Sequence, residues 1–363
     1  MKIAPVVLAG GRPGAFEKLT GPLPKTYVKI GGKRLYHYAA EALTSLFGKA
    51  YVVTPHPEKL PYTYIEERGE GIEQAIASAE SYIGAETHIL LAYGDVYTDN
   101  SAYRAVVEAA VTAGADGAVI AVPRKSIKGY GVLEAKAGGY LEKVGGEGQW
   151  IFGGISLLPR KLVKQIAQWG FYNALNEAAK TLKIAIVPWS GVWHDVNYPE
   201  DLIQLLEYTA PKHTYIARTA KVSPTAVLEG PVVVEEGAEI DHYAVIKGPA
   251  YIGRGVFIGT HALVRNYADI EEEAVVGSSS EVSHSLIGER ATVGRASFIS
   301  YSVLGPEAVV EPNVVTMSVL REGRERLEPI EVRGATYYKL GALIPKKARV
   351  RAGTVLLPGS GWD

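Results

Sequence analysis

Three short stretches of this 363-residue chain carry side chains suited to phosphate chemistry. Gly10 and Gly11 follow an apolar run at residues 3–9. Paired glycines at a strand end let backbone N–H groups approach a phosphate or a base closely. Lys25, fourteen residues after Gly11, closes a Pro24-Lys25 pair, and a loop lysine neutralises phosphate charge. Gly94 and Asp95 end a second apolar run at residues 88–93. A carboxylate at such a strand end can hold Mg²⁺ against phosphate oxygens.

The elements that must position these residues alternate as far as about residue 210. Strand-like runs fall at residues 3–9, 50–54, 88–92, 117–122, 151–157 and 184–187. Helix-like stretches lie between them at 33–47, 71–83, 101–113, 160–169 and 199–209. Val-, Ile- and Leu-rich strands separated by amphipathic helices predict an α/β fold with a Rossmann-like, mostly parallel sheet and helices on both faces. Ligands of such sheets bind at the carboxyl ends of the strands, where Gly10, Gly11 and Asp95 stand.

From about residue 214 the period changes. Aliphatic residues recur every six positions, from Ile216 through Val222, Leu228, Val234 and Ile240 to Val282. A five-residue step then leads to Ile287, Val293 and Ile299. Small residues such as Ala238, Ala244 and Ala262 stand four places after an aliphatic one. Antiparallel strands would alternate every two residues, so the hexad predicts a solenoid whose coils stack large inward residues and turn at small ones. It resembles the left-handed parallel β-helix of hexapeptide-repeat proteins. The pattern turns irregular at 300–340, around a charged run at 321–328 read as a loop or hairpin, and resumes at 343–353. The expected domains are residues 1–210 and 211–363.

Composition narrows the function. With 38 basic and 39 acidic residues there is no general attraction to nucleic acid or an anionic membrane. The absence of cysteine excludes disulfides, thiol catalysis and Cys-ligated zinc. No leader or membrane span is expected, so the protein reads as cytoplasmic. The absence of cysteine, two methionines and scarce glutamine fit a thermophilic source.

Taken in order, Leu8-Ala9-Gly10-Gly11, Pro22-Leu23-Pro24-Lys25 and the run from Lys29 to Leu35 resemble the opening signature of sugar-1-phosphate nucleotidylyltransferases. The whole chain is similar to archaeal bifunctional-type N-acetylglucosamine-1-phosphate uridylyltransferases and mannose-1-phosphate guanylyltransferases. The resemblance implies that the first loop, Leu8 to Arg12, wraps a nucleoside triphosphate and that Lys25 contacts its phosphates. Gly94-Asp95 resembles the family's metal-binding pair. The segment from Trp193 to Leu202 resembles its Trp-x-Asp…Pro-Glu-Asp-Leu element, which makes Asp195 the second Mg²⁺ ligand and leaves Glu200 and Asp201 to open a helix. Tyr130-Gly131, Glu142-Lys143 and Gly154 match its sugar and sugar-phosphate contacts, and Gly71 loosely matches its base-recognition loop. His194 is expected to pack or face solvent. One departure concerns the family's loop arginine: none follows Gly14, and Arg12 and Lys18 are the cations at hand.

The implied reaction is Mg²⁺-dependent attack of a sugar-1-phosphate on a nucleoside triphosphate, with pyrophosphate leaving. Catalysis is then positioning and charge neutralisation, with Lys25, Asp95 and Asp195 at its centre. Two alternatives stay open. The first is a catalytically silent, nucleotide-sugar-binding subunit. The second adds acetyl transfer in the β-helix, but residues 295–313, where its histidine is expected, contain none. His261 and His284 lie earlier and read as surface residues of the hexad. The β-helix is expected to serve assembly as a homo-oligomer.

Overall fold

The computed structural model describes residues 1–58, 61–124, 129–322 and 326–362. Its contacts divide it into two compact units, Met1–Arg12 with Leu35–Asp195 and Pro13–Arg34 with Val196–Asp363.

The first unit is built on a nine-stranded sheet. Its strand order is Thr63–Glu66, Tyr51–Thr54, Ile3–Leu8, His88–Tyr93, Trp150–Pro159, Gly117–Pro123, Ile184–Pro188, Tyr140–Val144, Leu133–Lys136. The first four run parallel, with Val6 beside Tyr51 on one side and Leu91 on the other. Trp150–Pro159 runs against both neighbours, and Tyr140–Val144 against both of its own. The sheet is therefore mixed and mostly parallel, as the alternation predicts.

Alternate residues face opposite sides of a strand. Ala4, Val6, Leu8, Ile89, Leu91 and Val119 form one core with the helices Ile72–Glu80, Leu162–Trp169 and Phe171–Ala179. Val7, Leu90, Ala92, Ala118 and Ile120, of the other parity, are equally buried. Helices Leu35–Phe47 and Asn100–Thr112 pack on strands Ile3–Leu8 and Gly117–Pro123.

Three strands of this sheet and one helix packed on it lie outside the expected set. Thr63–Glu66, Leu133–Lys136 and Tyr140–Val144 are short and interrupted by charges, so they lack an apolar run. Helix Phe171–Ala179 begins at Gly170, whose φ of +87° ends the preceding helix and starts the next. A further ribbon pairs Val96–Thr98 with Trp193–Asp195.

The second unit holds the three parallel sheets of the expected β-helix, seven strands each. Successive coils are 18 residues apart at Val232, Ala250 and Ala268. They shorten to 17 from Asp269↔Leu286 onward, which is the five-residue step seen in the sequence. Ile240, Ile246, Ile252, Ile258, Val264 and Ile270 stack in the lumen, with Ala244, Ala262 and Ala274 buried beside them. The residue before each of these alanines, Tyr243, His261 or Glu273, has φ near +60° and bends the chain at the corner. The coils stay regular to Val315–Thr316, further than the sequence pattern indicates. A second five-residue step, from Ile299 to Leu304, hides the hexads there. Two antiparallel hairpins then interrupt the solenoid, Leu320–Glu322 with Arg326–Glu328 and Ile330–Val332 with Ala335–Tyr337. The first carries the charged run, of which residues 323–325 lie outside the described residues.

Segment 13–34 packs on this solenoid. Lys29 Nζ reaches Glu289 at 2.5 Å and Glu272 at 3.4 Å. Asp269 accepts the Gly31 N–H at 2.6 Å, and Glu271 accepts the Gly32 N–H at 2.9 Å. Among the described residues no helix is long and apolar enough to cross a membrane.

Candidate active site

The strand His88–Tyr93 ends at Gly94, whose N–H donates to the Leu8 carbonyl at 2.9 Å. A Cβ at Gly94 would stand 2.8 Å from that oxygen and 2.9 Å from Tyr36 Cβ, so only glycine lets the two strand ends meet. Asp95 follows and opens the ribbon strand Val96–Thr98. In that ribbon Asp195 lies opposite Val96, which brings it one residue from Asp95 in register, although the two are a hundred positions apart. Both are half-buried. Tyr130 donates its hydroxyl to Asp195 at 2.8 Å, which fixes that carboxylate.

Three residues of this region were given no site role in the sequence. Tyr93 buries its hydroxyl without a hydrogen-bond partner among the described residues. Burial, then the charges of Tyr172, Asp95, Glu73 and Asp195, raise its pKa well above the usual range. Tyr172 accepts the Gly131 N–H, and burial likewise pushes its pKa up, with Asp195 adding to the shift. Trp193 donates to the Gly153 carbonyl at 2.9 Å and holds the ribbon to the sheet. Tyr93, which immediately precedes Gly94-Asp95 at the strand end, was the one with a usable sequence signal.

Asp95 and Asp195 supply hard oxygen donors, the set that Mg²⁺ takes when substrate phosphates and waters complete its shell. Among the described residues there is no group of three or more His, Asp or Glu side chains arranged to hold a metal, as an all-protein cage would need.

The first loop forms a second cluster. Gly11, with φ of +96°, donates its N–H to Glu67, and a Cβ on Gly10 would run into the Glu67 carboxylate. Burial raises the Glu67 pKa against the pull of that N–H, and Glu70 adds to the rise. Arg12 pairs with Glu70 at 2.5 Å, both side chains being exposed, so water screens the pair and leaves it weak. Gly11, Arg12, Pro55, Glu67, Gly69, Glu70 and Gly71 line an open cavity of about 510 Å³. Gly71 caps helix Ile72–Glu80 there with φ of +95°. Leu8 and Ala9 lead into this loop, and the Ala9 N–H donates to the Val53 carbonyl at 2.8 Å.

The remaining candidates are dispersed. Glu142 and Lys143 are exposed on Tyr140–Val144, with Lys143 paired to Glu134 at 3.2 Å. Gly154 sits at a bulge in Trp150–Pro159, where a Cβ would stand 3.0 Å from Val96 and 3.2 Å from Tyr93. Its visible role is close packing behind the Asp95 turn. Lys25 belongs to the second unit, where its Nζ meets Asn197 Oδ1 at 3.2 Å. Lys18 donates to the Gly361 carbonyl at 3.1 Å in the same unit.

Asp201 accepts the N–H groups of Asn197 and Tyr198 and opens helix Asp201–Thr209, while buried Glu200 pairs with Arg333, as their structural reading requires. His194 is buried. The reading of His284 as a surface residue is corrected. It is buried, its Nε2 bonds the Ile203 carbonyl at 2.9 Å, and its ring stacks on Tyr301 at 4.3 Å. Helix Asp201–Thr209 packs on this part of the solenoid, which a hexad pattern cannot reveal. His261 is exposed and stacks on Tyr243.

The fold is an α/β unit with a mixed sheet, followed in the chain by a parallel β-helix. A family model described as the MobA-like NTP transferase domain matches residues 5–207, more than half of the chain, and the chain belongs to that family. A second model, described as the GMPPB C-terminal domain, matches residues 228–320. The chain is 26% identical over 301 residues to a protein of Methanocaldococcus jannaschii named bifunctional protein GlmU, covering 78% of this chain and 72% of that one. It is 25% identical to a bifunctional sugar-1-phosphate nucleotidylyltransferase/acetyltransferase of Sulfurisphaera tokodaii, over 77% of this chain and 74% of that one. A putative mannose-1-phosphate guanyltransferase of Sulfolobus acidocaldarius is 23% identical, over 66% of this chain and 72% of its own.

Proposed function

We propose that this protein transfers a nucleotidyl group from a nucleoside triphosphate to a sugar-1-phosphate, giving a nucleotide-sugar and pyrophosphate. The observation that carries the reading is the ribbon that pairs Asp195 with Val96, beside Asp95, at the carboxyl end of a central strand. Asp95 and Asp195 would hold Mg²⁺, which when bound draws charge from the phosphates. Tyr130 keeps Asp195 in place. The first loop, from Leu8 through Gly10 and Gly11 to Arg12, together with Gly71, receives the nucleotide. Lys25 neutralises the pyrophosphate as it leaves. Lys143 and Glu142 meet the sugar phosphate and sugar, with Tyr130, Gly131 and Gly154 shaping that side. Such chemistry belongs to residues 1–210, and the β-helix of 211–363 assembles copies of a cytoplasmic homo-oligomer.

The test is Mg²⁺-dependent pyrophosphate release across the ribonucleoside triphosphates and dTTP, each with glucose-, mannose- and N-acetylglucosamine-1-phosphate. Turnover with one pair, lost by at least ~10²-fold in Asp195→Ala with an unchanged melting temperature, supports the assignment. Unchanged turnover in that variant sinks it. Silence across the matrix, with nucleotide-sugar binding retained, selects the non-catalytic subunit instead, a reading supported by the missing loop arginine. Acetyl transfer draws no support from His284, which is already engaged by Ile203 and Tyr301.

A further inference from the structure

We infer that Glu67 selects guanine, making GTP the nucleotide substrate; this rests on the nucleotidyl-transfer reading and concerns the first-loop cavity. The cavity lies at the carboxyl ends of Ile3–Leu8 and Tyr51–Thr54, where an α/β sheet receives its ligand. Two carboxylates, Glu67 and Glu70, line it against one guanidinium, Arg12. Arg12 is already paired with Glu70 at 2.5 Å, which leaves the Glu67 charge uncompensated by any cation of the cavity wall. That balance repels a phosphate and favours a neutral group bearing N–H donors. The base end of a nucleotide is such a group.

Glu67 is well placed to meet it. Its carboxylate stands over Gly10, in space that any side chain there would fill, and it accepts the Gly11 N–H. This bond orients the group and leaves other lone pairs for a ligand, since a carboxylate has about four acceptor sites. Of the common bases only guanine offers two adjacent donors, N1–H and the N2 amine, matched to the two oxygens of a carboxylate. Uracil and thymine present one N–H between two carbonyls, and these would face the negative charge. Adenine and cytosine present one amine beside a bare ring nitrogen, whose lone pair meets the second oxygen unfavourably. A good bidentate pair discriminates by about 1–3 kcal/mol, or roughly 5- to 150-fold. A site built to hydrogen-bond rejects analogues that leave its groups unpaired more strongly still.

The experiment compares GTP, ITP, UTP, dTTP, ATP and CTP by equilibrium binding to the full-length protein and, with the accepted sugar phosphate, by kcat/KM. The expected result is a preference for GTP over the pyrimidine nucleotides and ATP of at least ~100-fold. ITP, which lacks only the N2 amine, should fall about 10-fold below GTP. In Glu67→Gln the GTP-to-ITP ratio should shrink toward one with an unchanged melting temperature. Binding or turnover that favours UTP or dTTP overturns the inference and leaves nucleotidyl transfer standing. Equal affinity for GTP and ITP in the unmodified protein overturns it without any variant. Absence of turnover with every nucleotide defeats the catalytic reading, and the binding order still decides whether Glu67 reads guanine.

Discussion

Replacing Asp269 by asparagine removes half of a buried acid pair that anchors segment 13–34 to the β-helix. Asp269 is 3% exposed and Glu271 1%, and each accepts a backbone N–H, from Gly31 and Gly32 respectively. Burial raises the Asp269 pKa from 3.8 to about 7, against the pull of the Gly31 N–H and of Glu271. Burial also pushes Glu271 well above its ordinary value, with Asp269 adding to the shift and Lys29 opposing it. The folded protein therefore keeps protons here that the unfolded chain releases near pH 4. The contribution of Asp269 to stability is then greatest below the unfolded pKa and is lost as pH rises toward about 7. At roughly 1.4 kcal/mol per pH unit, the Asp269 shift caps that loss at about 4 kcal/mol. An asparagine at this position cannot titrate, yet its amide oxygen can still accept the Gly31 N–H. Urea unfolding of both proteins from pH 4.5 to 8 reads the difference, with amide exchange of residues 29–34 as the local report. Asp269→Asn should gain on the parent steadily as pH rises. Acids with lowered pKa values, such as Glu272 and Glu311, and the buried His284 titrate in both proteins and cancel in the comparison. Parallel stability curves across the window would refute the reasoning.

Two further substitutions test how the site and the solenoid are held. Gly94→Ala places a methyl against the Leu8 carbonyl and Tyr36, so it should cost about 1–3 kcal/mol and lower turnover by moving Asp95, as thermal melts and pyrophosphate release would register. Ile258→Ala empties a fully buried lumen position and should cost about 2–5 kcal/mol, whereas Ile216→Ala, 46% exposed on the first coil, should cost under about 1 kcal/mol; equal losses in denaturant melts would contradict the stacking account.

The lumen of the solenoid was legible because each coil reuses one stereochemical slot, so Ile246, Ile252 and Ile258 recur on a fixed step. The corners were not. Tyr243, His261, Glu273 and Arg290 take φ near +60°, a region sequence reading assigns to glycine or asparagine. Stacked coils impose that conformation on them, so no residue type announces it. In the first unit the strand cores were readable from apolar runs, whereas the charged hairpin of Leu133–Lys136 and Tyr140–Val144 was not. Asp95 could be found because it ends an apolar run with a glycine before it. Its neighbourhood with Asp195 depends on a ribbon joining distant segments, which only the family resemblance could anticipate. Glu67 gains its significance from side-chain direction, which periodicity does not carry.

The division into two units bears on what the β-helix does. Segment 13–34, although it lies inside the family match of residues 5–207, groups with the solenoid in one compact unit. The attachment is specific: a lysine between two glutamates, two buried carboxylates on consecutive backbone amides, and the Lys346 N–H on the Lys18 carbonyl at 2.7 Å. Gly32 is needed there as well, since with φ of +73° it leaves room for Tyr251 of the solenoid. These contacts come from coils between Tyr251 and Glu289 and from the later strand region at Lys346, so they require a folded stack. A solenoid serving only self-association would need none of them. Because the segment they hold carries Lys25, the solenoid fixes the backbone around the lysine to which we assign the pyrophosphate.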